Sequence, residues 1–428
     1  MVPRLLAWLL CCALALVAST GAADESEVQI HLITMGPGDH LYTRGGHAAL
    51  MVARLRNGVP ESTEIYNYGD TNWDDPWMVW NFLRGRLVFF LSSSGDLATT
   101  IEKYGIGQGR SVYRQRVNLS PQQAREMAER LAEKIKPGQR EYLLHHMRAV
   151  CSTKVLDMLD STLGGIIETQ LEPQTGPQSA REYQEFGFSG HHLAAVAADL
   201  FLGRMHDHRL DGFKTAAVPW HMRDDLQQIM VPNPTGAGEP VPLVEPPVAL
   251  VERKEPPVRK QDWFTHYLWG GLICLFLFFG AQAYRRLPRE SAAAGEVLFP
   301  AALLSGLIGV LILLLVVLST VREFKANELL LVFPPSDWLL LSPARRWWKG
   351  KRGAPRWVRI YGLVRLAVVG LVVIGHLTGL LIQQPRILVG LGLVLALLLW
   401  ALPRRMARGQ RAKPEPPPEQ LDEDPAPA

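Results

Sequence analysis

Four long apolar segments in the C-terminal half of the chain constrain its fold more than any other feature. They occupy residues 266–284, 298–320, 360–382 and 386–402, and each is close to the ~20 residues that a helix needs to cross a bilayer core. The overall composition agrees, because 48% hydrophobic residues is high for a soluble enzyme. We therefore expect an all-α transmembrane helical domain in this half of the chain.

The start of the chain predicts a secretory signal peptide over residues 1–23. Arg4 precedes an apolar run from Leu5 to Ala18, and small residues follow up to Ala23. Cleavage there removes two of the four cysteines, and a third lies in the first apolar segment. The exported soluble part then keeps Cys151 alone, which is either a buried bystander or a retained reactive thiol.

The distribution of basic residues predicts the membrane topology. If residues 24–232 are exported, four crossings leave the basic cluster at 345–359 outside, against the positive-inside tendency. A fifth crossing at 327–342 places that cluster and the basic tail in the cytoplasm. Pro334 and Asp337 interrupt this segment, so we expect it to be broken or re-entrant and to line a cavity. Four crossings remain the alternative.

Local patterns divide the chain into segments. The soluble domain is predicted to be α+β, with early strands at Val28–Thr34, Ala48–Ala53 and Thr63–Tyr68 and helices that begin after Ser120 and near Cys151. The predicted segments are the signal peptide (1–23), the soluble domain (24–232), a proline-rich extended linker (233–262), the membrane domain (263–404) and a disordered cytoplasmic tail (405–428).

Cys151 and His47 form the candidate catalytic pair. The N-terminus of a helix lowers the pKa of a thiol, and His47 follows two glycines at the start of an apolar strand. A cysteine on a helix and a histidine on a strand are the layout of papain-like thiol enzymes. Asn67 is our choice for the group that orients the imidazole, with Tyr66 and Asp70 as alternatives. The non-catalytic alternative is a buried thiol beside a structural histidine.

Metal and nucleic-acid functions are not favoured. A formal net charge of +4 is too small for a dedicated nucleic-acid binder. No zinc-binding spacing accompanies the paired histidines, so we expect neither a metal site nor a cofactor. These pairs are His145 with His146, His191 with His192, and His206 with His208.

Several short stretches resemble, in the same order, the Lnb-type bacterial lipoprotein N-acyltransferases. The stretches are Arg44-Gly45-Gly46-His47-Ala48-Ala49-Leu50, Tyr66-Asn67-Tyr68-Gly69, Phe82-Leu83-Arg84-Gly85, Cys151-Ser152-Thr153, Asp199-Leu200-Phe201-Leu202-Gly203, and Asn327-Glu328-Leu329-Leu330 with the residues up to Pro335. The resemblance implies a papain-like periplasmic thiol-enzyme domain followed by a five-helix domain in the bacterial inner membrane.

The resemblance also implies an activity. Members of the family transfer an acyl chain from a phospholipid donor to the N-terminal amine of a diacylglyceryl lipoprotein acceptor, which assigns the nucleophile to Cys151 and the base to His47. Two positions depart from the pattern, because Val150 stands where Asn is expected and Lys154 where Arg is expected. Two other functions remain open: a periplasmic thiol hydrolase acting on peptidoglycan or lipid, and a non-enzymatic membrane assembly or sensor module.

Overall fold

The computed structural model describes residues 27–145, 147–188, 190–253, 290–351, 353–383 and parts of 388–401. The predicted signal peptide, the apolar span at 266–284 and the tail at 405–428 lie outside the described residues. The chain divides into two compact units. The first comprises residues up to 192 together with 208–260, and the second comprises 193–207 together with the residues from 261 onward.

A seven-stranded antiparallel sheet forms the centre of the first unit. The strands of the unit are β1 (Glu27–Met35), β2 (His47–Arg56), β3 (Val59–Asp70), β4 (Val88–Ser93), β5 (Val112–Arg116), β6 (Glu141–Leu143), β7 (Thr175–Ser179), β8 (Arg209–Asp211), β9 (Met230–Val231), β10 (Val241–Pro242) and β11 (Val248–Val251). The order in the main sheet is β11-β5-β1-β2-β3-β4-β6, while β7 with β8 and β9 with β10 form two small sheets.

Helices follow between and after these strands. They are α1 (Met78–Leu83), α2 (Leu97–Thr100), α3 (Pro121–Lys134), α4 (Cys151–Thr162), α5 (Ile166–Leu171), α6 (Ala180–Gly187), α7 (His192–Phe201), α8 (Gly212–Ala216), α9 (Pro219–Asp225), α10 (Glu290–Leu318), α11 (Leu329–Val332), α12 (Leu341–Trp348) and α13 (Arg356–Thr378). A π-helix spans Ile101–Gly107, and 3-10 turns span Leu41–Thr43, Arg204–Asp207, Leu226–Gln228, Arg322–Phe324 and Pro335–Leu340.

The main sheet separates two apolar cores, because successive side chains of a strand point to opposite faces. On one face, Leu50 and Tyr66 are buried against α3 and α4. On the other face, Met51 and Ile65 are buried against Tyr104 of the π-helix. Both faces of β2 and β3 are therefore covered, and the ends of these strands are where side chains can reach a surface groove.

The early strands and the first two long helices confirm the predictions from local sequence. Strands β1, β2 and β3 contain the three predicted segments, and α4 begins at Cys151. Helix α3 has the predicted capping box, in which the Ser120 hydroxyl accepts from the Gln123 N–H while the Gln123 side chain accepts from the Ser120 N–H. These sequence signals depend on neighbouring residues alone, which is why the folded chain contains the elements that they predict.

The proline-rich segment that was expected to be a spacer is instead part of the first unit. β11 pairs with β5 at the edge of the main sheet, and β10 pairs with β9. Leu243 and Val244, between these two strands, are buried in the core against α3 and α4. Composition alone favoured an extended linker, but the apolar residues between the prolines give this segment a buried face.

The second unit contains two helices that are long and apolar enough to cross a membrane, Ala294–Leu318 and Arg356–Thr378. They overlap the predicted spans at 298–320 and 360–382. The predicted span at 386–402 falls only partly within the described residues. The described regular secondary structure of this unit is helical.

The predicted interruption of segment 327–342 is present. α11 ends at Val332, and a 3-10 turn follows before α12. Arg365 on α13 donates to the carbonyl oxygens of Leu331 (3.1 Å) and Val332 (2.7 Å) and pairs with Asp337 (2.9 Å). This network satisfies the backbone groups that the break exposes. That the segment lines a cavity stays a prediction. Whether the segment crosses the bilayer stays a prediction.

Two of the stretches that carry the family resemblance meet within the second unit. The Asn327 side-chain amide donates to the carbonyl oxygens of Leu200 (2.8 Å) and Phe201 (3.1 Å). The Gln383 amide donates to the Leu202 carbonyl and to the Asn327 Oδ1, each at 3.0 Å. Residues 200–202 therefore hold their position against the loop before α11 through side-chain amides.

Candidate active site

The three residues chosen from the sequence come together where β2 begins and β3 ends. His47 is the first residue of β2, and Asn67 lies on β3 opposite Ala49, so both side chains belong to neighbouring strands. Cys151 is the first residue of α4, a helix that packs on β2 and β3. The helix start and the strand end therefore place a thiol, an imidazole and an amide in one region.

Asn67 is hydrogen-bonded to His47. The His47 Nε2 lies 3.2 Å from the Asn67 Oδ1. The Asn67 Nδ2 donates to the Ser94 Oγ (2.9 Å), which assigns the amide oxygen to the side of the imidazole. The oxygen can only accept, so Nε2 carries the proton in the neutral ring, and Nδ1 is the nitrogen left to take a proton from the thiol. Ser94 in turn contacts the buried Thr100 hydroxyl at 3.1 Å.

Cys151 is a free cysteine of intermediate exposure whose thiol is acidified. Burial raises the pKa of the thiol, but the charge of the His47 imidazolium and a hydrogen bond with its ring lower it, and backbone groups of Ala48 and Ser152 also hydrogen-bond the sulfur. The resulting pKa is about 7, below the ordinary value of a cysteine. A thiol with this pKa is about half thiolate at neutral pH, and the thiolate is the form that acts as a nucleophile.

Gly69 is favoured beside Cys151 by its backbone conformation. Its φ is +106°, which side-chain-bearing residues rarely adopt, and a Cβ built there would lie 3.5 Å from the Cys151 Cβ. The residue stands at a bulge in the pairing of β3 with β4, between Tyr68 and Asp70. A bulge next to a reactive group re-aims the strand, and here it leaves room for the cysteine.

The alternatives to Asn67 do not contact the imidazole. The Tyr66 hydroxyl donates to the Glu64 Oε2 at 2.8 Å, and the tyrosine ring is buried on the other face of the sheet. The Asp70 Oδ1 accepts from the Thr71 N–H at 3.0 Å. Of the three candidates, Asn67 is the one that lies against His47.

A tyrosine that the sequence did not single out packs on the His47 imidazole. The rings of Tyr104 and His47 are 5.7 Å apart and inclined by 24°. Tyr104 belongs to the π-helix, a rare conformation that is frequent at functional sites. Lys103 and Arg110 also lie over the Tyr104 ring, at 5.1 and 5.6 Å from its centroid. No local sequence pattern predicts a π-helix, so the contact between Tyr104 and His47 could not be predicted from the sequence.

The cysteine and the histidine line a groove of about 720 Å³ in the first unit. The lining is mixed, with apolar or aromatic side chains beside neutral polar ones, three Lys or Arg side chains and one acid, Asp70. The apolar set includes Leu41, Tyr42, Tyr68, Trp73, Phe89, Met147, Phe188, Leu210, Val218 and Trp220, and the cationic set is Lys103, Arg110 and Lys214. The volume and the lining suit a ligand with an apolar chain and an anionic group.

The other histidines weighed as ligands do not gather into a metal site. Within the parts of the chain that the structure describes, no group of three or more His, Cys, Asp or Glu side chains is arranged to hold a metal ion. His206 and His208, the pair that a strand would place on one face, instead fall in and just after a 3-10 turn. His146 lies outside the described residues.

The acidified thiol gives a pH dependence that can be measured. Because the pKa of Cys151 is about 7, its alkylation by iodoacetamide should accelerate as the pH rises through about 7 and should slow below it. In a His47→Ala variant the charge and the hydrogen bond of the imidazole, which are the largest lowering influences, are gone while burial remains, so the midpoint should move above ~8.5. A Cys274→Ser background isolates the signal. An unchanged midpoint in the His47→Ala variant would contradict the thiolate–imidazolium pair.

The contact of Asn67 with His47 gives a second expected result. Asn67→Ala frees the imidazole to rotate, and turnover should fall about tenfold to a hundredfold, the range found when a partner that orients a histidine is removed. The alkylation midpoint of Cys151 should rise at the same time. Tyr66→Phe, at the adjacent position, is the matched control and should alter neither quantity. A purely structural role for Asn67 would lower protein yield without moving the alkylation midpoint.

Comparison with known proteins identifies one family in this region of the chain. Residues 16–183 match the family model described as the Lnb N-terminal periplasmic domain. The matched range contains His47, Asn67 and Cys151 and ends within α6. No curated protein and no solved structure matches the chain with comparable significance.

Proposed function

We propose that this chain, whose N-terminal domain is of the Lnb type, is a membrane-anchored lipoprotein N-acyltransferase. In this proposal an acyl chain passes from a phospholipid, through a thioester on Cys151, to the N-terminal amine of a diacylglyceryl-cysteine lipoprotein. The observation that carries the proposal is the Cys151–His47–Asn67 arrangement, with a thiol pKa of about 7, inside a groove of largely apolar lining. A papain-like mechanism uses the same three residue types.

In the first half-reaction the Cys151 thiolate attacks the carbonyl carbon of a phospholipid ester. The tetrahedral intermediate carries its negative charge on the carbonyl oxygen, and the positive end of the α4 dipole, where Cys151 begins the helix, favours that charge. When the intermediate collapses, the bond to the glycerol oxygen breaks. The His47 imidazolium gives its proton to that oxygen, and a lysophospholipid leaves.

In the second half-reaction the lipoprotein amine attacks the thioester. Neutral His47 takes a proton from the attacking nitrogen, an amide bond forms, and the Cys151 thiolate is released. Asn67 keeps the imidazole aligned in both steps through its bond to Nε2. The cycle therefore needs no group beyond those that line the groove, because the same imidazole donates and accepts one proton.

The lining of the groove supports a lipid substrate over a peptidoglycan substrate. A peptidoglycan hydrolase is expected to bind its polar substrate in a polar cleft, whereas aromatic and aliphatic side chains dominate here. Lys103 and Arg110, which share the Tyr104 ring with His47, supply positive charge beside the imidazole. That charge suits the phosphodiester of a donor lipid whose ester lies at Cys151.

Membrane anchoring supports the same reaction. The described residues include two helices able to cross a bilayer, and both proposed substrates are held in a membrane by their acyl chains. Tethering a catalyst to the surface that holds its substrates raises their effective concentration. A membrane-anchored sensor without enzymatic activity would have no need for an acidified thiol in a groove.

Trapping of the acyl-enzyme tests the proposal. Incubation of the full chain in vesicles with phospholipid labelled in its acyl chain, and with no amine acceptor, should place the label on Cys151, because a two-step mechanism stores the chain as a thioester. Neutral hydroxylamine should then release it. Mass spectrometry of the digested protein identifies the labelled residue.

The matched control is the Cys151→Ala chain under the same conditions, which should take up no label. Addition of a diacylglyceryl peptide with a free amine should discharge the label into the peptide. A label that is hydrolysed at the same rate with or without the peptide would indicate a lipid hydrolase. Absence of label on the wild-type chain would refute the thioester mechanism.

A further inference from the structure

An exposed aromatic surface lies beside the mouth of the groove. Helix α1 has none of its residues buried, although five of its six positions are apolar. Trp77, just before the helix, is 66% exposed, and Val79 is 65% exposed. Trp80 and Phe82 are exposed as well. We call these four residues the aromatic surface. Exposure of a short, mostly apolar helix to water is unfavourable, so we expect other apolar material to cover it. We call that material the covering phase.

The aromatic surface continues into the groove through neighbouring rings. The rings of Trp73 and Tyr42 are 5.1 Å apart and inclined by 42°, and both residues line the groove that contains Cys151. They are also exposed, by 49% and 66% of their surface. A ligand that leaves the covering phase at α1 therefore meets aromatic side chains on its way to the thiol.

The charges around this surface favour an anionic lipid interface as the covering phase. The positive charges here are Arg84 and Arg86, and the nearest acids along the chain are Asp74 and Asp75, of which Asp75 accepts from the Trp77 N–H and the Asn81 amide. Arg84 lies over the Trp80 ring at 5.8 Å from its centroid, and Arg86 is exposed. Tryptophan beside arginine is the composition that settles at the level of lipid headgroups, with the indole in the interface and the guanidinium on phosphate.

We propose that α1 and its flanking aromatic residues insert into the headgroup region of the bilayer that anchors the chain, so that the groove opens onto lipid. The occupant is the lipid surface itself, because the chain has two helices that are long and apolar enough to anchor it in a bilayer. Insertion brings phospholipid esters to the groove without their passage through water. This inference extends the proposed function, but the binding it describes does not depend on that function.

Depth measurement on the full chain tests the insertion directly. A Val79→Cys chain, with its other cysteines replaced, carries an environment-sensitive fluorophore and is reconstituted into vesicles of phosphatidylethanolamine and phosphatidylglycerol. Emission should shift to shorter wavelength, and lipids with a nitroxide near the headgroup should quench it. A Ser62→Cys chain, labelled at the exposed β2–β3 hairpin, is the matched control and should show neither change.

Each other outcome overturns the insertion. Water-like emission at position 79 would mean that the surface stays in solvent. A blue shift without quenching by lipid nitroxide would mean that protein covers the surface, either another part of this chain or a partner. Equal quenching at positions 62 and 79 would mean that the measurement reports general proximity to the vesicle. Arg84→Gln together with Arg86→Gln should reduce quenching in vesicles that contain phosphatidylglycerol.

A functional comparison separates this inference from the proposed function. Trp77→Ser together with Trp80→Ser should lower turnover of bilayer phospholipid by about tenfold or more, since partial burial of two indoles is worth at least that factor in partitioning. Turnover of a short-chain phospholipid dissolved as monomers should stay within about twofold, because neither residue lines the groove. An equal loss on both substrates would overturn the inference, whereas an inactive wild-type chain would refute only the proposed function.

Discussion

Replacement of Cys151 by Ser, or of His47 by Ala, is expected to reduce acyl transfer by at least about 10²-fold. Serine keeps the shape of the side chain, but its hydroxyl is a far weaker acid than the Cys151 thiol, whose pKa is about 7. The imidazole therefore cannot generate a comparable nucleophile. Loss of His47 removes both the charge that lowers the thiol pKa and the proton carrier of both half-reactions.

The measurement is mass spectrometry of lipoprotein N-termini in cells that carry each variant, together with turnover in purified membranes. Cys274→Ser is the matched control and should keep full activity. Export and folding should be unaffected, because Cys151 is only partly buried and His47 lines a groove. Turnover at the wild-type rate by the serine variant would remove Cys151 from the mechanism.

The parts of the site that the sequence predicted rest on local signals. A cysteine that opens a helix and a histidine that follows two glycines at the start of a strand are visible in short stretches of sequence. Asn67 could be predicted for the same reason. It lies on the next strand along the chain, and a hairpin brings β2 and β3 together. Sequential strands pair often enough that such a neighbour is a sound choice.

The parts that the sequence did not predict depend on distant pairings. Tyr104 reaches His47 because the π-helix folds over the second face of the sheet. Ser94, just after β4, supports Asn67, and the position of β4 depends on its pairing with β3 and β6. The register of these strands is set by burial across the whole sheet, and no short stretch contains it. Composition also gave a wrong prediction for residues 233–262, which were expected to form an extended linker. Strand β11, within this segment, pairs with β5 in the main sheet.

In the second unit the largest expected effect follows from Asp337. Its carboxylate is fully buried and accepts from Arg365, Tyr361 and Ser305. Asp337→Ala leaves the Arg365 guanidinium buried without its counter-charge, which costs about 3–5 kcal/mol in unfolding free energy. The melting midpoint of the full chain in detergent should fall by about 10 °C. Glu296→Gln, an exposed acid of α10, is the matched control and should not change the midpoint.

A double variant shows what Arg365 does beyond pairing. Asp337→Leu with Arg365→Met removes both charges, so the penalty of an unpaired charge disappears and stability should recover in part. Recovery should stay incomplete, because the carbonyl oxygens of Leu331 and Val332 lose the guanidinium that satisfies them at the break after α11. Full recovery would show that Asp337 and Arg365 only neutralise each other and that Arg365 does not stabilise the broken helix. A shortfall would instead show that Arg365 holds the broken helix in place, which explains how two prolines and an aspartate are accommodated in an apolar unit.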